Sequence, residues 1–350
     1  MISMSSWKNP GILAALAAAV LFGASTPFAK LLLGETSPWL LAGLLYLGSG
    51  AGLFVYRFAI QAGPARIARN ERVWLIGAIV AGGVVAPVLL LYGLLRMPAS
   101  GASMLLNAEG LFTALIAWFA FRENFDRRVA LGMLAIVAGA AVLSWQREVE
   151  LSSVGPALGV LGACLAWGID NNLTRRVSLS DATFIAMTKG LAAGTVNVAL
   201  AFLVGATLPT MEVLGASLIL GFLSYGVSLT LFVVGLRHLG TARTGAYFSV
   251  APFIGAAIGL LALQEPLTPQ FSIAAILMAA GVWLHVTERH EHFHVHEAIE
   301  HTHEHEHDEH HQHRHEEPVA AGMRHTHRHR HDHLEHTHPH FPDAHHRHSH

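Results

Sequence analysis

The sequence predicts an all-α integral membrane protein of ten transmembrane helices, arranged as two inverted five-helix repeats and followed by a disordered histidine-rich tail. Three observations predict this fold. Of the 350 residues, 52% are hydrophobic and only 13% are charged, whereas a soluble protein carries about a quarter charged residues. The apolar residues form long segments, and these segments resemble one another in the two halves of the chain. Lipid is therefore the expected surrounding of most of the protein.

Ten apolar segments are long enough to cross the hydrocarbon layer, which takes about 20 helical residues. Short loops connect them, and we predict the first repeat in residues 10–147, the second in residues 154–287 and the tail in residues 288–350. The predicted spans lie near residues 11–33, 38–56, 73–95, 99–121, 128–146, 155–174, 182–204, 213–236, 243–263 and 268–286.

Positive charge is unequally divided between the loops. If the N-terminus is cytoplasmic, the cytoplasmic segments carry twelve lysines and arginines, and the opposite loops carry only Arg96 and Arg147. Basic residues are concentrated on the cytoplasmic side of membrane proteins, and an even number of spans returns the chain to that side. We therefore predict a multi-pass protein of the cell membrane, with both termini cytoplasmic and a bacterial inner membrane as the expected location.

Two stretches of the first half recur in the second half. Residues 23–30 line up with residues 168–175, and residues 96–123 line up with residues 237–265. Because each half has five spans, the second copy enters the membrane from the opposite side. Inverted repeats are typical of secondary transporters, which alternate between two mirror-related states around a central site.

The best-matched segments, Gly101–Glu123 and Gly245–Glu265, each end a span with a glutamate. In this pattern the chain resembles the EamA repeats of the drug/metabolite transporter superfamily, over about residues 10–287. The resemblance implies a ten-helix fold that transports small metabolites. It does not define the substrate, because one fold serves many substrates.

Glu109 is the sharpest candidate for a functional residue within the membrane, and Asn107 is assigned to the same site. Glu109 stands where the second half has Ala251, followed by Pro252, which is the more usual pattern of the family that the chain resembles. It lies ten residues into its span, or ~15 Å along the helix, and an ionisable residue at that depth indicates function. It could carry a coupling proton or hold a cationic substrate. The alternative is a protonated carboxyl group that links two helices.

A second polar group consists of Asp170, Asn171 and Asn172, and Lys189 lies in the following span. The depths of Asp170 and Lys189 differ by only ~5 Å at helical rise. An ion pair is expected, because buried charges need partners. A substrate role and a structural bridge between helices are both open. Tyr247 is a further candidate for lining a cavity, although such groups also cross-link helices.

The tail contains 24 of the 26 histidines, all between His290 and His350. They recur as His-x-His, a spacing that puts both residues on one side of an extended chain. Neutral imidazole is a ligand for Ni, Zn, Co and Cu, so we predict divalent-metal binding by the tail, against the alternative of low-complexity sequence without function. Too little of the tail is apolar to bury a core, which predicts disorder. The predicted ligands are His290, His292, His294, His296, His301, His303, His305, His307, His325, His327, His329, His331, His333, His336, His338 and His340.

Three functions are compatible with these features. The first is a secondary transporter of a small metabolite, working by alternating access and carrying a metal-binding tail. The second is a divalent-metal transporter for Ni, Co or Zn, whose tail collects or buffers the ion. The third is a non-transporting membrane metal sensor, which would not need inverted repeats.

Other function classes lack sequence support. No phosphate-binding loop of the GxxxxGK[ST] kind occurs, and no nucleophile lies in a recognisable catalytic pattern, so we predict that the protein is not an enzyme and requires no cofactor. The expected partners are the lipid bilayer and a small-molecule or ion substrate, and no nucleic acid. Gly255 and Gly259 form a GxxxG step, which is compatible with a homodimer or with close helix packing within one chain.

Overall fold

The computed structural model describes two units, a helical membrane body within residues 10–286 and a tail unit of four strands. The described residues are 10–63, 65, 67–69, 71–121, 127–144, 151–177, 180–239, 244, 247–286, 291–296, 300–305, 325–330 and 334–339.

The membrane body is helical apart from short connections. Its helices are α1 Pro10–Leu32, α2 Pro38–Ala59, α3 Arg72–Leu94, α4 Ala99–Leu105, α5 Ala108–Phe121, α6 Arg127–Ser144, α7 Leu151–Arg175, α8 Ala182–Leu203, α9 Met211–Leu239, α10 Ala251–Ala262 and α11 Pro269–Val286. Among the described residues, five helices are long and apolar enough to cross a membrane, namely α1, α2, α3, α8 and α9. The protein is therefore a multi-pass membrane protein, and the count of ten spans stays a prediction.

Short polar side chains begin several of these helices. Ser37 Oγ accepts a hydrogen bond from Leu40 N at the start of α2, where Pro38 occupies the first turn. Asp181 accepts one from Phe184 N at the start of α8. Such side chains satisfy backbone N–H groups that have no partner within the helix, so the sequence itself defines where these helices begin.

The helices of the two halves pack in a reciprocal pattern. In the first half, α1 packs against α9 and α10; in the second half, α7 packs against α3 and α5. The second helices of the halves, α2 and α8, pack against each other, as do the last helices, α6 and α11. Each half therefore places its first helix against the third and fourth spans of the other.

The fourth predicted span, residues 99–121, is not one continuous helix. A turn at Leu106 and Asn107 separates α4 from α5. Asn107 Nδ2 donates to Met104 O at 2.9 Å, and Cys164 Sγ donates to Leu105 O at 3.6 Å. The prediction of an unbroken helix is wrong here because these side chains replace backbone hydrogen bonds, which is how an interrupted helix is tolerated in a membrane.

The third span of each half contains a π-helical segment. It covers Ile79–Val85 in α3 and Phe222–Val227 in α9. Such wider turns leave a carbonyl group free for other donors and occur often at functional sites. The π-helical turn of α3 lies against α7 and α8, next to the polar residues described below.

The contact between α2 and α8 is made through glycines. A Cβ atom on Gly50 would overlap the backbone of Leu191, and a Cβ atom on Gly190 would overlap Gly50. Gly43 and Gly194 are equally close to the opposite helix. Small residues let two backbones approach in this way, so the two halves meet along a seam of main chain. This glycine seam consists of the four glycines named here.

The tail unit contains four strands in two antiparallel pairs. β1 (Glu291–His296) pairs with β4 (Leu334–Pro339), and β2 (Glu300–His305) pairs with β3 (His325–Arg330). The predicted disorder does not hold over these four segments. Histidine alternates there with other residues, threonine, valine and phenylalanine among them, and the last three favour strands.

Candidate functional site

Glu109 lies in the first turn of α5, directly after the break in the fourth span. Its side chain is half-buried, and its Oε1 accepts a hydrogen bond of 2.9 Å from Asn171 Nδ2 on α7. The same amide lies 3.2 Å from Thr113 Oγ1. Glu109 and Thr113 share one face of α5 because they are four residues apart, and a helix N-terminus favours a carboxylate. The contact joins a helix of the first half to a helix of the second.

Asn172, the next residue of α7, strengthens the same helix contact. Its Nδ2 donates to Thr113 O at 3.1 Å and to Gly168 O at 2.8 Å. A Cβ atom on Gly168 would lie 3.0 Å from the Cβ of Phe112, so the two backbones are close. Asn172 is buried and has both amide hydrogens occupied, and its geometry is that of a cross-link between α5 and α7.

Asp170 and Lys189 form the ion pair that their depths predict. Lys189 Nζ lies 2.6 Å from Asp170 Oδ1 and 2.7 Å from Oδ2, and both side chains are buried. Thr174 Oγ1 donates to Asp170 Oδ1 at 2.8 Å and accepts from Lys189 at 3.2 Å. The pairing is confirmed, whereas a role in substrate binding stays a prediction. A buried pair with this many hydrogen bonds holds α7 and α8 together.

The π-helical turn of α3 covers one side of this ion pair. A Cβ atom on Gly82 would overlap the carboxyl group of Asp170, so only glycine fits there. Gly82 O accepts hydrogen bonds from Tyr46 Oη at 2.6 Å and from Trp167 Nε1 at 3.0 Å. The free carbonyl of the π-helical turn is therefore satisfied by side chains of α2 and α7.

Aromatic rings continue from Tyr46 toward α1 and α9. The ring centroids of Tyr46 and Tyr225 are 5.3 Å apart, and Phe22 lies 5.9 Å from Tyr225 and 6.4 Å from Trp167. Phe248 lies 5.4 Å from Phe22. These five rings form an aromatic cluster contributed by both halves. The sequence analysis did not predict that these rings form a cluster.

Two predicted site residues have other surroundings. Asn107 is buried, and its amide is used at the turn between α4 and α5. Tyr247 is half-buried and directly precedes Phe248 of the aromatic cluster. Participation of either residue in substrate binding stays a prediction.

The predicted metal ligands of the tail are only partly within the described residues. His290, His307, His331, His333 and His340 lie outside them, and the other eleven lie in β1 to β4. Over the part of the membrane body that the structure describes, no three or more histidine, cysteine, aspartate or glutamate residues come together as a metal site. Metal binding by the tail stays a prediction.

At one end of the body, charged side chains bind backbone groups. Glu265 accepts hydrogen bonds from Ala99 N at 2.6 Å and Ser100 N at 2.8 Å, and so caps α4. Lys30 donates to Met97 O and, at 3.4 Å, to Leu94 O. These contacts tie α1 and the end of α10 to the connection between α3 and α4. Glu123, the counterpart of Glu265, lies outside the described residues.

Asp181 and Arg57 hold α8 to the end of α2. Arg57 Nη1 lies 2.7 Å from Asp181 Oδ1 and also contacts Thr183 Oγ1. Partial burial works to raise the pKa of Asp181, but hydrogen bonds from Thr183, Phe184 N and Arg57, with the positive charge of Arg57, outweigh it and lower the pKa to about 2. The carboxylate is therefore charged at any physiological pH.

Gly255 and Gly259, the GxxxG step of α10, pack against other helices of the same chain. A Cβ atom on Gly255 would lie 2.6 Å from Gly23 O, and one on Gly259 would lie 2.8 Å from Ser100 N. Of the two interpretations of the GxxxG step, close packing within one chain is the one observed. A homodimer stays a prediction.

Known proteins resemble the chain over the membrane body. The EamA-like transporter family matches residues 9–145 and again residues 155–287. An uncharacterized transporter from Methanothermobacter thermautotrophicus is 29% identical over 295 residues, covering 78% of this chain and 85% of the relative. A protein of known crystal structure is similar with a TM-score of 0.61 at 18% identity, covering 77% of this chain and 94% of its own. That last likeness concerns the fold alone.

Proposed function

Because the chain belongs to the EamA-like transporter family and is a membrane transporter, we propose that it is a secondary transporter that moves a small metabolite by alternating access. Its N-terminus and its tail are both cytoplasmic in this proposal, and a bacterial inner membrane is its location. The tail binds a divalent metal, Ni, Zn, Co or Cu, and no cofactor is needed for transport.

The hydrogen bond between Glu109 and Asn171 carries the proposal. Glu109 belongs to the first family match and Asn171 to the second, and the bond between them measures 2.9 Å. A rearrangement of one half against the other would break this contact and remake it. A carboxyl group whose partner changes between two states can bind and release a proton or a cationic substrate in step with the rearrangement.

The packing of the helices supports inverted repeats and alternating access. The contacts of α1 with α9 and α10 correspond to those of α7 with α3 and α5. Both third spans contain a π-helical turn, and both fourth spans turn sharply before α5 and α10, at residues 106–107 and 249–250. Such correspondence is expected if the halves exchange conformations between an outward-open and an inward-open state.

Divalent-metal transport is the second function to be tested, because the tail is rich in metal ligands. The membrane body weighs against it. Both carboxylate oxygens of Asp170 are held by the ammonium group of Lys189, at 2.6 and 2.7 Å, so a cation already occupies that carboxylate. Glu109, the other carboxyl group nearby, accepts a hydrogen bond from Asn171, and the amide of Asn172 donates to backbone carbonyls. The tail could therefore bind metal without any metal crossing the membrane.

The test uses the full-length protein in proteoliposomes that contain a pH indicator. Pools of amino acids, sugars, nucleosides and polyamines are added outside, with and without an imposed pH gradient. We expect one pool to change the internal pH only when the protein is present. In parallel vesicles, an ion indicator reports entry of Ni²⁺, Co²⁺ or Zn²⁺, which we expect not to occur.

The Glu109→Gln variant tests the site itself. Glutamine can still accept the hydrogen bond of Asn171 but cannot exchange a proton, so we expect substrate-dependent pH change to fall to the level of protein-free vesicles. Glu212→Gln is the matched control, because Glu212 is exposed at the start of α9, and it should transport normally. Normal transport with normal pH dependence in Glu109→Gln would exclude the proposed role of Glu109. If the vesicles take up metal ions and none of the metabolite pools, divalent-metal transport replaces metabolite transport as the proposed function.

A further inference from the structure

The fourth spans of the two halves meet at one end of the membrane body through a carboxylate. Glu265 follows the end of α10 in the second half, and α4 begins the fourth span of the first half. Glu265 Oε1 accepts a hydrogen bond of 2.6 Å from Ala99 N, and Oε2 accepts one of 2.8 Å from Ser100 N. Hydrogen bonds to an ionised carboxylate are stronger than neutral ones, so this is a strong contact between the halves. In the proposed topology it lies at the outer end.

The backbone after α10 is folded so that it holds Glu265 in place. Gln264 has a φ of 53°, in the left-handed region that a residue with a side chain rarely occupies. Glu265 N donates to Gly259 O at 3.4 Å, which turns the chain back toward the last turn of α10. A Cβ atom on Gly259 would lie 2.8 Å from Ser100 N and 3.1 Å from Glu265 Oε2, so the contact leaves no room for a side chain there. Backbone strain of this kind is found at functional sites and switch regions.

A lysine of α1 holds the segment that receives the carboxylate. Lys30 Nζ donates to Met97 O and, at 3.4 Å, to Leu94 O. Both carbonyl groups lie shortly before Ala99, at the connection between α3 and α4. Because Lys30 and its acceptors belong to the same half, these bonds position the start of α4 without joining the halves. Glu265, by contrast, joins one half to the other.

The polar site at Glu109 is accessible on a face that differs from the lipid face of α7. Leu158, Leu165 and Ile169 are exposed by 59%, 42% and 38%, and their spacing of seven and four residues places them on one face of the helix. Asn171, the partner of Glu109, is exposed as well, but it lies about 200° around the helix from Ile169. The site is therefore reached from within the body, and an alternating-access transporter closes one end of such a path at a time.

We propose that Glu265 is a latch that keeps one end of the membrane body closed, and that its release from Ala99 and Ser100 opens that end toward Glu109. This inference rests on the proposed alternating access and goes beyond it, because it names a contact that must break. The two N–H groups belong to the first turn of α4, where they have no partner within the helix. Water takes the place of the carboxylate when the end opens, so the latch can open and close repeatedly.

Two spin labels across the latch test it without knowledge of the substrate. Cys164, the one cysteine of the chain, is first replaced by serine. Labels are then attached through Arg96→Cys in the first half and Leu267→Cys in the second, because both residues are exposed beside the latch. Double electron–electron resonance measures the distance between the labels in the full-length protein, reconstituted in lipid nanodiscs. This labelled parent is compared with Glu265→Ala, Glu265→Gln and the matched control Glu212→Ala, which removes an exposed carboxylate from the start of α9.

We expect one short distance in the labelled parent and a second, longer distance in Glu265→Ala. The ratio of long to short distances should rise at least about tenfold, because two hydrogen bonds to a charged group are lost. Glu265→Gln keeps the size of the side chain and one acceptor oxygen, but its bonds are neutral and weaker, so its ratio should rise about threefold. Glu212→Ala should match the labelled parent.

Unchanged distances in both Glu265 variants would exclude the latch and leave Glu265 as a helix cap that serves folding alone. If Glu265→Ala does not fold, Glu265→Gln settles the question by the same comparison. An equal rise in Glu212→Ala would also overturn the inference, because any loss of negative charge at this end would then have the same effect. A latch that opens as expected in a protein that moves none of the substrate pools would support the inference while the proposed metabolite transport fails.

Discussion

The fourth spans of the two halves turn at corresponding positions but carry different chemistry. In the first half, the turn at residues 106–107 leads into α5 and Glu109. In the second half, the turn at residues 249–250 leads into α10, which begins with Ala251 and Pro252. The second turn forms without any carboxylate, so a carboxylate is not needed to build such a turn. The two halves therefore share the backbone turn in the fourth span, whereas the carboxyl group of Glu109 occurs in the first half alone.

The first spans of the two halves, α1 and α7, also differ in their polar residues. Asp170, Asn171 and Asn172 of α7 correspond to Ser25, Thr26 and Pro27 of α1. Asp170 forms an ion pair with Lys189, whereas Ser25 is a neutral side chain buried in the body. The charged groups of the site therefore come from α5 of the first half and from α7 and α8 of the second. Four experiments would break or sharpen this comparison, and the first has the largest expected effect.

Giving the first half the residues of the second tests whether the difference is functional. The variant Glu109→Ala with Gly110→Pro removes the carboxylate and introduces the Ala-Pro pair that starts α10. We expect transport in proteoliposomes to fall to background while thermal unfolding changes little, because Gly110 is exposed and no atom lies within 4 Å of its Cβ position. Retained transport would mean that the two turns are functionally alike.

Removing one partner of the Asp170–Lys189 ion pair tests how much the pair contributes to stability. Lys189→Met leaves the buried carboxylate of Asp170 without its partner, and we expect a loss of about 3–5 kcal/mol of stability. Thermal unfolding in detergent measures it. The double variant Asp170→Asn with Lys189→Met should recover much of the loss, because no uncompensated charge remains. Ser25→Ala, the corresponding change in α1, serves as control and should cost far less.

The two π-helical turns differ in how much space they leave. A Cβ atom on Gly82 would overlap Asp170, whereas one on Gly226 would lie 3.4 Å from Phe222 and Ser49. We expect Gly82→Ala to cost about 1–3 kcal/mol, the usual effect of overpacking, and Gly226→Ala to cost little. Thermal unfolding of both variants is the measurement. Equal losses would show that the turn itself, not the neighbouring ion pair, requires glycine.

The caps of α2 and α8 occupy corresponding positions and differ in charge. Replacing Ser37 by Ala should cost about 1 kcal/mol, the usual value of such a cap, and replacing Asp181 by Ala should cost more, because its ion pair with Arg57 is lost as well. Only the contribution of Asp181 should depend on pH. Its pKa is about 2 in the folded protein, below its ordinary value of 3.8, so its contribution is complete above about pH 5 and is lost as the pH falls toward 2. Unfolding of both variants between pH 6 and pH 2 measures this difference.

Depth along the helix was enough to predict the ionisable part of the site. Counting residues from the span ends placed Asp170 and Lys189 at similar depth, and the structure pairs them. The same counting singled out Glu109, but gave no sign of its partner Asn171. Helical rise defines depth accurately, whereas the facing direction of each helix depends on packing that one sequence does not reveal.

Features that depend on local backbone geometry were not predictable from apolar content. The turn at residues 106–107 and the π-helical turns lie within predicted spans whose overall apolar content shows no interruption. Their compensating hydrogen bonds come from residues as distant as Cys164, Tyr46 and Trp167. In the tail, composition predicted disorder, although the alternation of histidine in segments such as residues 300–305 has the period of a strand. Composition counts residues without regard to their order, so it does not detect this alternation.

The glycine seam between α2 and α8 has a consequence for how the halves can move. At Gly50 and Gly190 the backbone of each helix lies directly against the other, with the side chain of Leu191 beside the contact, so the two helices cannot approach further. If the halves move while this contact is kept, they roll or slide about the glycine seam, which then acts as the axis of the motion. Spin labels placed just beside it would report almost no change in distance during transport, even in a fully active protein.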